Sequence, residues 1–259
     1  LSRYLLCLNI ILRSPTLQAV LAKKEFVLEK IALENHIVKQ FDEELDEIRT
    51  LLMAMGGMVE RQLQDAIQSI VKVDSGLADS VIEQDKRVDE MELEIDEACL
   101  TIIARRQPAA TDLRLVMMVS KAVNDLERIG DEAKKIAKQA IILSEQEKPW
   151  GFTEVRHLGK GALSILSNAL DAFARFDTEA ALRTFNQDQQ IDLDYQTALR
   201  ESVTYMMEDP KSISRVINIL WVIRSLERVG DHAKNLCEQI VFVVRGKDIR
   251  HQTVLDDTH

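Results

Sequence analysis

Proline and glycine are sparse in this chain, 4 and 9 in 259 residues. That excludes collagen-like and low-complexity chains and leaves few of the punctuation points that many short strands require. Aromatic residues make up 5%, too few for the stacking platforms that hold single-stranded nucleic acid. Cys7, Cys99 and Cys237 are far apart and form no CxxC pair. They support neither a disulfide framework nor a thiolate zinc site, and a reducing cytoplasm suits them. The apolar run Leu5 to Leu12 ends at Arg13, well short of the ~20 residues of a membrane helix. No clean small-x-small cleavage site follows it, so export is not expected. Positive charge is in deficit too, with 33 Lys and Arg against 43 Asp and Glu and a formal net charge of −10. That sign opposes nucleic acid and anionic lipid as electrostatic partners and favours cations and basic protein surfaces.

What is abundant is helical periodicity. Apolar residues recur every three or four positions almost throughout, and no alternating β-branched run is long enough for a strand, which predicts an all-α fold. Breaks fall at Asp74-Ser75-Gly76, Gln107-Pro108, Gln146 to Gly151, Phe176-Asp177 and Glu208-Asp209-Pro210, leaving six helices. The first carries Gly56-Gly57, which predicts either a kink or a close helix approach.

A repeat sets the architecture. Leu126-Glu127-Arg128-Ile129-Gly130-Asp131 returns 100 positions on as Leu226-Glu227-Arg228-Val229-Gly230-Asp231. Ala133-Lys134 matches Ala233-Lys234 in that register, Pro108 has its counterpart in Pro210, and Gln84-Asp85-x-x-Val88-Asp89 matches Gln187-Asp188-x-x-Ile191-Asp192. The order predicts a duplicated three-helix unit: two tandem antiparallel three-helix bundles, at 35–147 and 148–247. Residues 1–34 form an N-terminal extension and 248–259 a tail.

The third predicted helix draws an apolar stripe through Leu115, Met118, Ala122, Leu126, Ile129, Ala133, Ile136 and Ala140, which turns Glu127 and Asp131 to its outer flank beside Asn124 and Ser120. The sixth does the same through Ile219, Ile223, Leu226, Val229, Ala233, Leu236 and Ile240, with Glu227 and Asp231 outward. On the second helix Val81, Val88, Met91, Ile95 and Ile102 pack inward, and Asp85 with Asp89 is expected on a flank. Like charges at i and i+4 cost a helix about 0.2–0.5 kcal/mol per pair. One such pair is ordinarily a solvated acidic face; the same pairs in both repeats point to a bound cation. The candidate metal ligands are Asp85, Asp89, Glu127, Asp131, Asp188, Asp192, Glu227 and Asp231, an all-oxygen set that suits hard or borderline ions.

Other features carry less. Arg128 and Arg228 interrupt the acidic flank at matching places and are expected to pair with neighbouring carboxylates. Gly130 and Gly230 cost about 1 kcal/mol each inside a helix, which predicts close packing or room beside a ligand. Glu154-Val155-Arg156-His157 has the ExxH spacing of di-iron bundles, but those need two such motifs with further Glu residues inside the core, so a surface His is expected. His232 is a possible nitrogen ligand or pH-sensitive contact, whereas Glu132 takes its place in the first half. No nucleophile with its base, P-loop or nucleotide fold is visible, and no enzymatic activity is expected.

With these motifs, and with Ala104 to Arg114 and Tyr205 to Pro210, the chain from about His36 to Arg250 resembles the PhoU family of phosphate-specific transport system accessory proteins. The resemblance implies a cytoplasmic negative regulator of the phosphate starvation response. It implies partners in the ATPase subunit of the phosphate ABC transporter and a phosphate-sensing histidine kinase, contact with the membrane only through them, and a homodimer. It also implies metal ions at the E/DxxxD motifs, whether iron, manganese, magnesium or zinc. The competing readings are a carboxylate-bridged, ferritin-like di-metal enzyme or storage bundle and a metal-free helical scaffold.

Overall fold

The computed structural model describes the backbone of residues 15–145 and 152–246 and the side chains of 39–145 and 153–246. The tail at 248–259, the Lys148 to Gly151 junction and the Leu5 to Leu12 stretch lie outside the described residues. So does the extension at 1–34, except for helical backbone from Pro15 onward. Two compact units are present, Leu1–Glu47 and Ile48–His259. The first holds the N-terminal part of the first helix, where Lys39 and Glu43 form an exposed i,i+4 pair at 3.8 Å. Both repeats lie in the second.

The described elements are α1 (Pro15–Lys72), α2 (Ser75–Arg106), α3 (Ala110–Ser144), α4 (Phe152–Arg175), α5 (Thr178–Glu208), a 3-10 turn (Pro210–Ser212) and α6 (Ile213–Arg245). They are the six helices that the periodicity predicts, and no strand occurs among the described residues. The ends follow from local chemistry. Asp74 caps α2 by accepting from the Leu77 N–H at 2.9 Å, and Asp177 caps α5 by accepting from the Glu179 and Ala180 N–H groups at 3.0 Å each, as short acceptors do at helix N-termini. Before each cap the chain turns through a left-handed residue, Val73 at φ 56° and Phe176 at φ 51°, so both repeats use one turn. Gln107 at φ 49° ends α2 ahead of Pro108. The 3-10 turn opens with Pro210, behind an Asp209 carboxylate that accepts from the Lys211 N–H.

α2 lies along α3 and α5 along α6, and the two repeats join where α3 runs beside α6. The Glu132 to Arg228 and Asp125 to Gln239 contacts make that pairing antiparallel. A second junction lies between α1 and α4. A Cβ on Gly56 would fall 2.6 Å from Leu170 Cδ2, and one on Gly159 would fall 3.0 Å from Ile67. Gly56 therefore serves close packing within a continuous helix.

Being central, α3 and α6 are buried round more of their circumference than one stripe allows. Val116, Val119, Val123 and Ala137 join the expected set on α3, and Val216, Val222, Cys237 and Val241 on α6. Leu126, Ile129, Ile136, Leu158 and Leu166 are among the largest fully buried side chains, each contributing about 1.5–3 kcal/mol by leaving water. Cys99 and Cys237 are free and buried, and burial pushes both thiols up to about 12.

Candidate functional site

Each repeat carries a seam of carboxylates where its second helix meets its third. On α2 the buried positions step 81, 85, 88, 91, 95, 99, 102, so Asp85 occupies a core position in the stripe. It is 1% exposed, while Asp89 one turn on is exposed. In α5 the buried positions step 181, 184, 188, 191, 198, 202, and Asp188 is likewise 1% exposed, with Asp192 half-buried. The expectation that Asp85 and Asp89 share a solvent flank is therefore corrected, and the same holds for Asp188. One aspartate of each pair lies underneath the seam and the other on top of it.

A buried carboxylate requires a partner, and in both repeats the partner is a lysine. Lys134 Nζ on α3 donates to Asp85 Oδ2, and Lys234 Nζ on α6 lies 3.1 Å from Asp188 Oδ2. Asp85 Oδ1 also accepts from Gln62 Nε2 on α1 at 3.1 Å. Neither Asp188 oxygen accepts a hydrogen bond, so Lys234 compensates Oδ2 as an ion pair alone, and the buried Oε2 of Glu227 has no donor either. The matched glycines make room at each seam, for Asp188 in the second repeat and chiefly for Gln62 in the first. A Cβ on Gly230 would stand 2.8 Å from Asp188 Oδ1, and one on Gly130 would meet Gln62 Oε1 at 3.2 Å and Asp85 Oδ1 at 3.6 Å.

Glu127, Asp131 and Glu227 are half-buried and Asp231 is exposed. The motif carboxylates of each repeat lie within electrostatic reach of one another. Asp89, although exposed, is raised above the usual carboxylate range by partial desolvation, then by Asp85 and Asp131, against the pull of Lys134. Burial and Asp131 raise Glu127. Burial and Asp231 do the same to Glu227. Asp188 is raised by burial, although Lys234 pulls the other way. In the first repeat two further acids extend the seam, Glu92 and Asp96. Burial and the Asp96 charge raise Glu92, and Ser120 donates to Asp96 at 2.9 Å. The second repeat has Tyr195 and Leu199 in their places.

As they stand, no three Asp, Glu, His or Cys side chains among the described residues come together as a ligand set. The eight candidate carboxylates form two seams, each between two neighbouring helices, which is not the four-helix enclosure that a ferritin-like centre needs. His157 lies on the surface, 3.0 Å from Asp194 Oδ2, outside both seams. His232 faces the junction of the repeats, with Nδ1 3.0 Å from Asp125 Oδ1. Asp125 also accepts from Asn235 and Gln239, at 3.0 and 2.7 Å. The arginines pair as expected: Arg128 with Glu127 at 3.5 Å, and Arg228 with Glu132 across the junction at 2.7 Å.

Sequence reasoning missed Lys134 and Lys234, although both stand in the register of the repeat one turn after each glycine. Gln62 carried no local signal, since it reaches the seam from another helix.

A PhoU domain model matches residues 52–140 and again 155–240. The chain is 55% identical to the phosphate-specific transport system accessory protein PhoU homolog of Pseudomonas putida, over 87% of this chain and 88% of that one. Against phosphate-specific transport system accessory protein PhoU of Escherichia coli (strain K12) the identity is 48%, over 86% and 93%. The crystal structure of PhoU from Pseudomonas aeruginosa superposes with a TM-score of 0.78 at 55% identity, covering 80% of this chain and all of that one.

Proposed function

The chain belongs to the PhoU family, named for accessory proteins of phosphate-specific transport, and on that premise we propose that it is a metal-binding adaptor that restrains the phosphate starvation response. In this reading it acts in the cytoplasm and passes the state of the phosphate transporter to a sensor kinase. The observation that carries the metal part is the pair of seams, in which four motif carboxylates per repeat crowd one another with too little positive charge.

The donors fit a cation. Asp188 Oδ1 and Glu227 Oε2 are buried acceptors without donors on neighbouring helices, and an all-oxygen set suits Mg²⁺, Mn²⁺ or iron better than structural zinc. Asp85, Asp89, Glu127 and Asp131 would hold metal in the first repeat, and Asp188, Asp192, Glu227 and Asp231 in the second. A bound ion would neutralise each seam and brace its two helices. Elemental analysis of purified protein tests the assignment: changing Glu127, Asp131, Glu227 and Asp231 to Ala is expected to remove the metal, and unchanged metal content would refute the sites.

The adaptor part rests on the far end of the second seam. Past Tyr195 and Arg224, which stack at 5.7 Å, both stripes turn apolar and stay exposed, through Leu199, Val203 and Met207 on α5 and Ile213, Ile217 and Trp221 on α6. The matching places in the first repeat hold Asp96, Leu100, Ala104, Leu113, Met117 and Lys121. Neighbouring exposed apolar side chains mark interaction sites, and we assign this group to the cytoplasmic ATPase subunit of the phosphate transporter. No helix of the described residues is long and apolar enough to cross a membrane, so the membrane would be reached through that partner. A phosphate-responsive reporter in cells lacking the gene tests the whole reading. This chain should restore repression in high phosphate, and persistent constitutive expression would refute it.

A further inference from the structure

We propose that Lys134 and Lys234 are the resident counter-ions of the two seams, and that a metal ion enters each seam by displacing the lysine. The proposal deepens the metal-binding reading and rests on it.

The same arrangement occurs twice in register. A helical side chain leans toward the N-terminus of its helix, so a lysine four residues after Gly130 or Gly230 runs back over the glycine. There the missing Cβ leaves space for Asp188 in the second repeat and for Gln62, the partner of Asp85, in the first. The ammonium thus meets the most buried carboxylate in the seam. Its charge is felt beyond that contact: Lys134 interacts with Asp85, Asp131 and Asp89, and Lys234 with Asp188, Asp231 and Asp192. Each lysine therefore compensates carboxylates of both motifs in its repeat, the task assigned to a metal.

The two partners are not equally fixed. Asp85 and Asp188 are held on short side chains 2% exposed, whereas the lysine side chains are 29% and 32% exposed. A flexible four-carbon stem at the surface lets the ammonium swing into water while the carboxylate stays. Lys234 also lies 5.0 Å from the ring centre of Phe185, a face that attracts a displaced ammonium. Occupation by lysine accounts for the lack of three converging ligands, since the ammonium stands where the ion would draw them together.

The experiment measures Mn²⁺ binding to the full chain at fixed pH by calorimetry, for wild type, Lys134→Met, Lys234→Met and Asp188→Asn. Removing the competitor is expected to tighten Mn²⁺ binding at the affected seam by at least about tenfold, whereas Asp188→Asn weakens it. Methionine variants that bind Mn²⁺ as wild type does, or more weakly, overturn the proposal while leaving the metal site standing. If neither wild type nor any variant binds Mn²⁺, the metal reading and the proposal both fall. Because a Met variant leaves a buried carboxylate unpaired, wild-type protein provides a second measurement: acylation of lysines, followed by mass spectrometry with and without Mn²⁺. Labelling of Lys134 and Lys234 should speed up several-fold relative to the other lysines when metal is bound. Bound Mn²⁺ with unchanged labelling rejects the exchange.

Discussion

Arg228 on α6 crosses the junction of the repeats to reach Glu132 on α3 at 2.7 Å. The reciprocal contact is missing, because His232 stands where Glu132 has its counterpart and turns instead to Asp125. A duplicated pair of helices has thus diverged at its centre into two different polar contacts.

Glu132 is 2% exposed and is held by Arg228 and by Lys135 at 3.0 Å. Removing one charged partner of a buried carboxylate is costly even when another remains, so Arg228→Met should destabilise by about 1–3 kcal/mol. Replacing both residues, Glu132→Leu with Arg228→Met, should cost less than the sum of the single changes. Urea denaturation of the four proteins checks this. Additive effects would show that the two side chains are not energetically coupled.

Gly230→Ala is expected to destabilise more than Gly130→Ala. The new methyl would meet a buried carboxylate oxygen at 2.8 Å in the second repeat, against a glutamine oxygen at 3.2 Å in the first. Overpacking of this kind costs about 1–3 kcal/mol, partly offset by the better helix propensity of alanine. Thermal melts of the two variants give the comparison, and equal losses would show that Asp188 yields as easily as Gln62.

The all-α class, the six helices and the duplication were legible because each rests on local signals: periodicity, breakers and self-similarity. The candidate carboxylates were legible for the same reason. What failed was the depth of Asp85 and Asp188. Charge by itself points to exposure, although position 85 lies four residues after Val81 and three before Val88, inside the core stripe. The spacing was the stronger signal, because Lys134 offsets the charge from another helix. The α3 to α6 junction was not legible at all, since pairing between repeats leaves no periodicity of its own, and at the α1 to α4 junction Gly56-Gly57 signalled a close approach without naming its partner.

The acidic seams set the sign of a pH dependence. Asp89, Glu92, Glu127, Asp188 and Glu227 all titrate above the usual carboxylate range because burial, and neighbouring acids in all five, disfavour their charge. The folded state therefore holds more protons than the unfolded one between the ordinary and the raised values, and stability falls as pH rises through that window. Metal-free protein should lose melting temperature as the pH is raised upward from the ordinary carboxylate range, the direction in which the raised groups give up their protons. Mn²⁺ should raise the melting temperature more at the higher pH, where it replaces the missing positive charge. A metal-free melting temperature that climbs steadily as the pH rises above the ordinary carboxylate range would contradict the crowding of these acids.

Trp221 is 61% exposed and Met207 79% exposed on the apolar end of the second seam. Large side chains held out of the core contribute little to folding, so Trp221→Ser and Ile217→Ser should each shift stability by no more than about 0.5 kcal/mol. At an interface the same truncations remove central anchors, where tryptophan is often worth about 2 kcal/mol or more. The expected result is that both variants keep the wild-type melting temperature and metal content yet co-purify poorly with the transporter's ATPase subunit and fail to repress the phosphate-responsive reporter. Lys121→Ser, at the matching place of the first repeat, serves as the control and should leave co-purification intact. Wild-type repression by Trp221→Ser together with Ile217→Ser would move the docking surface elsewhere on the molecule.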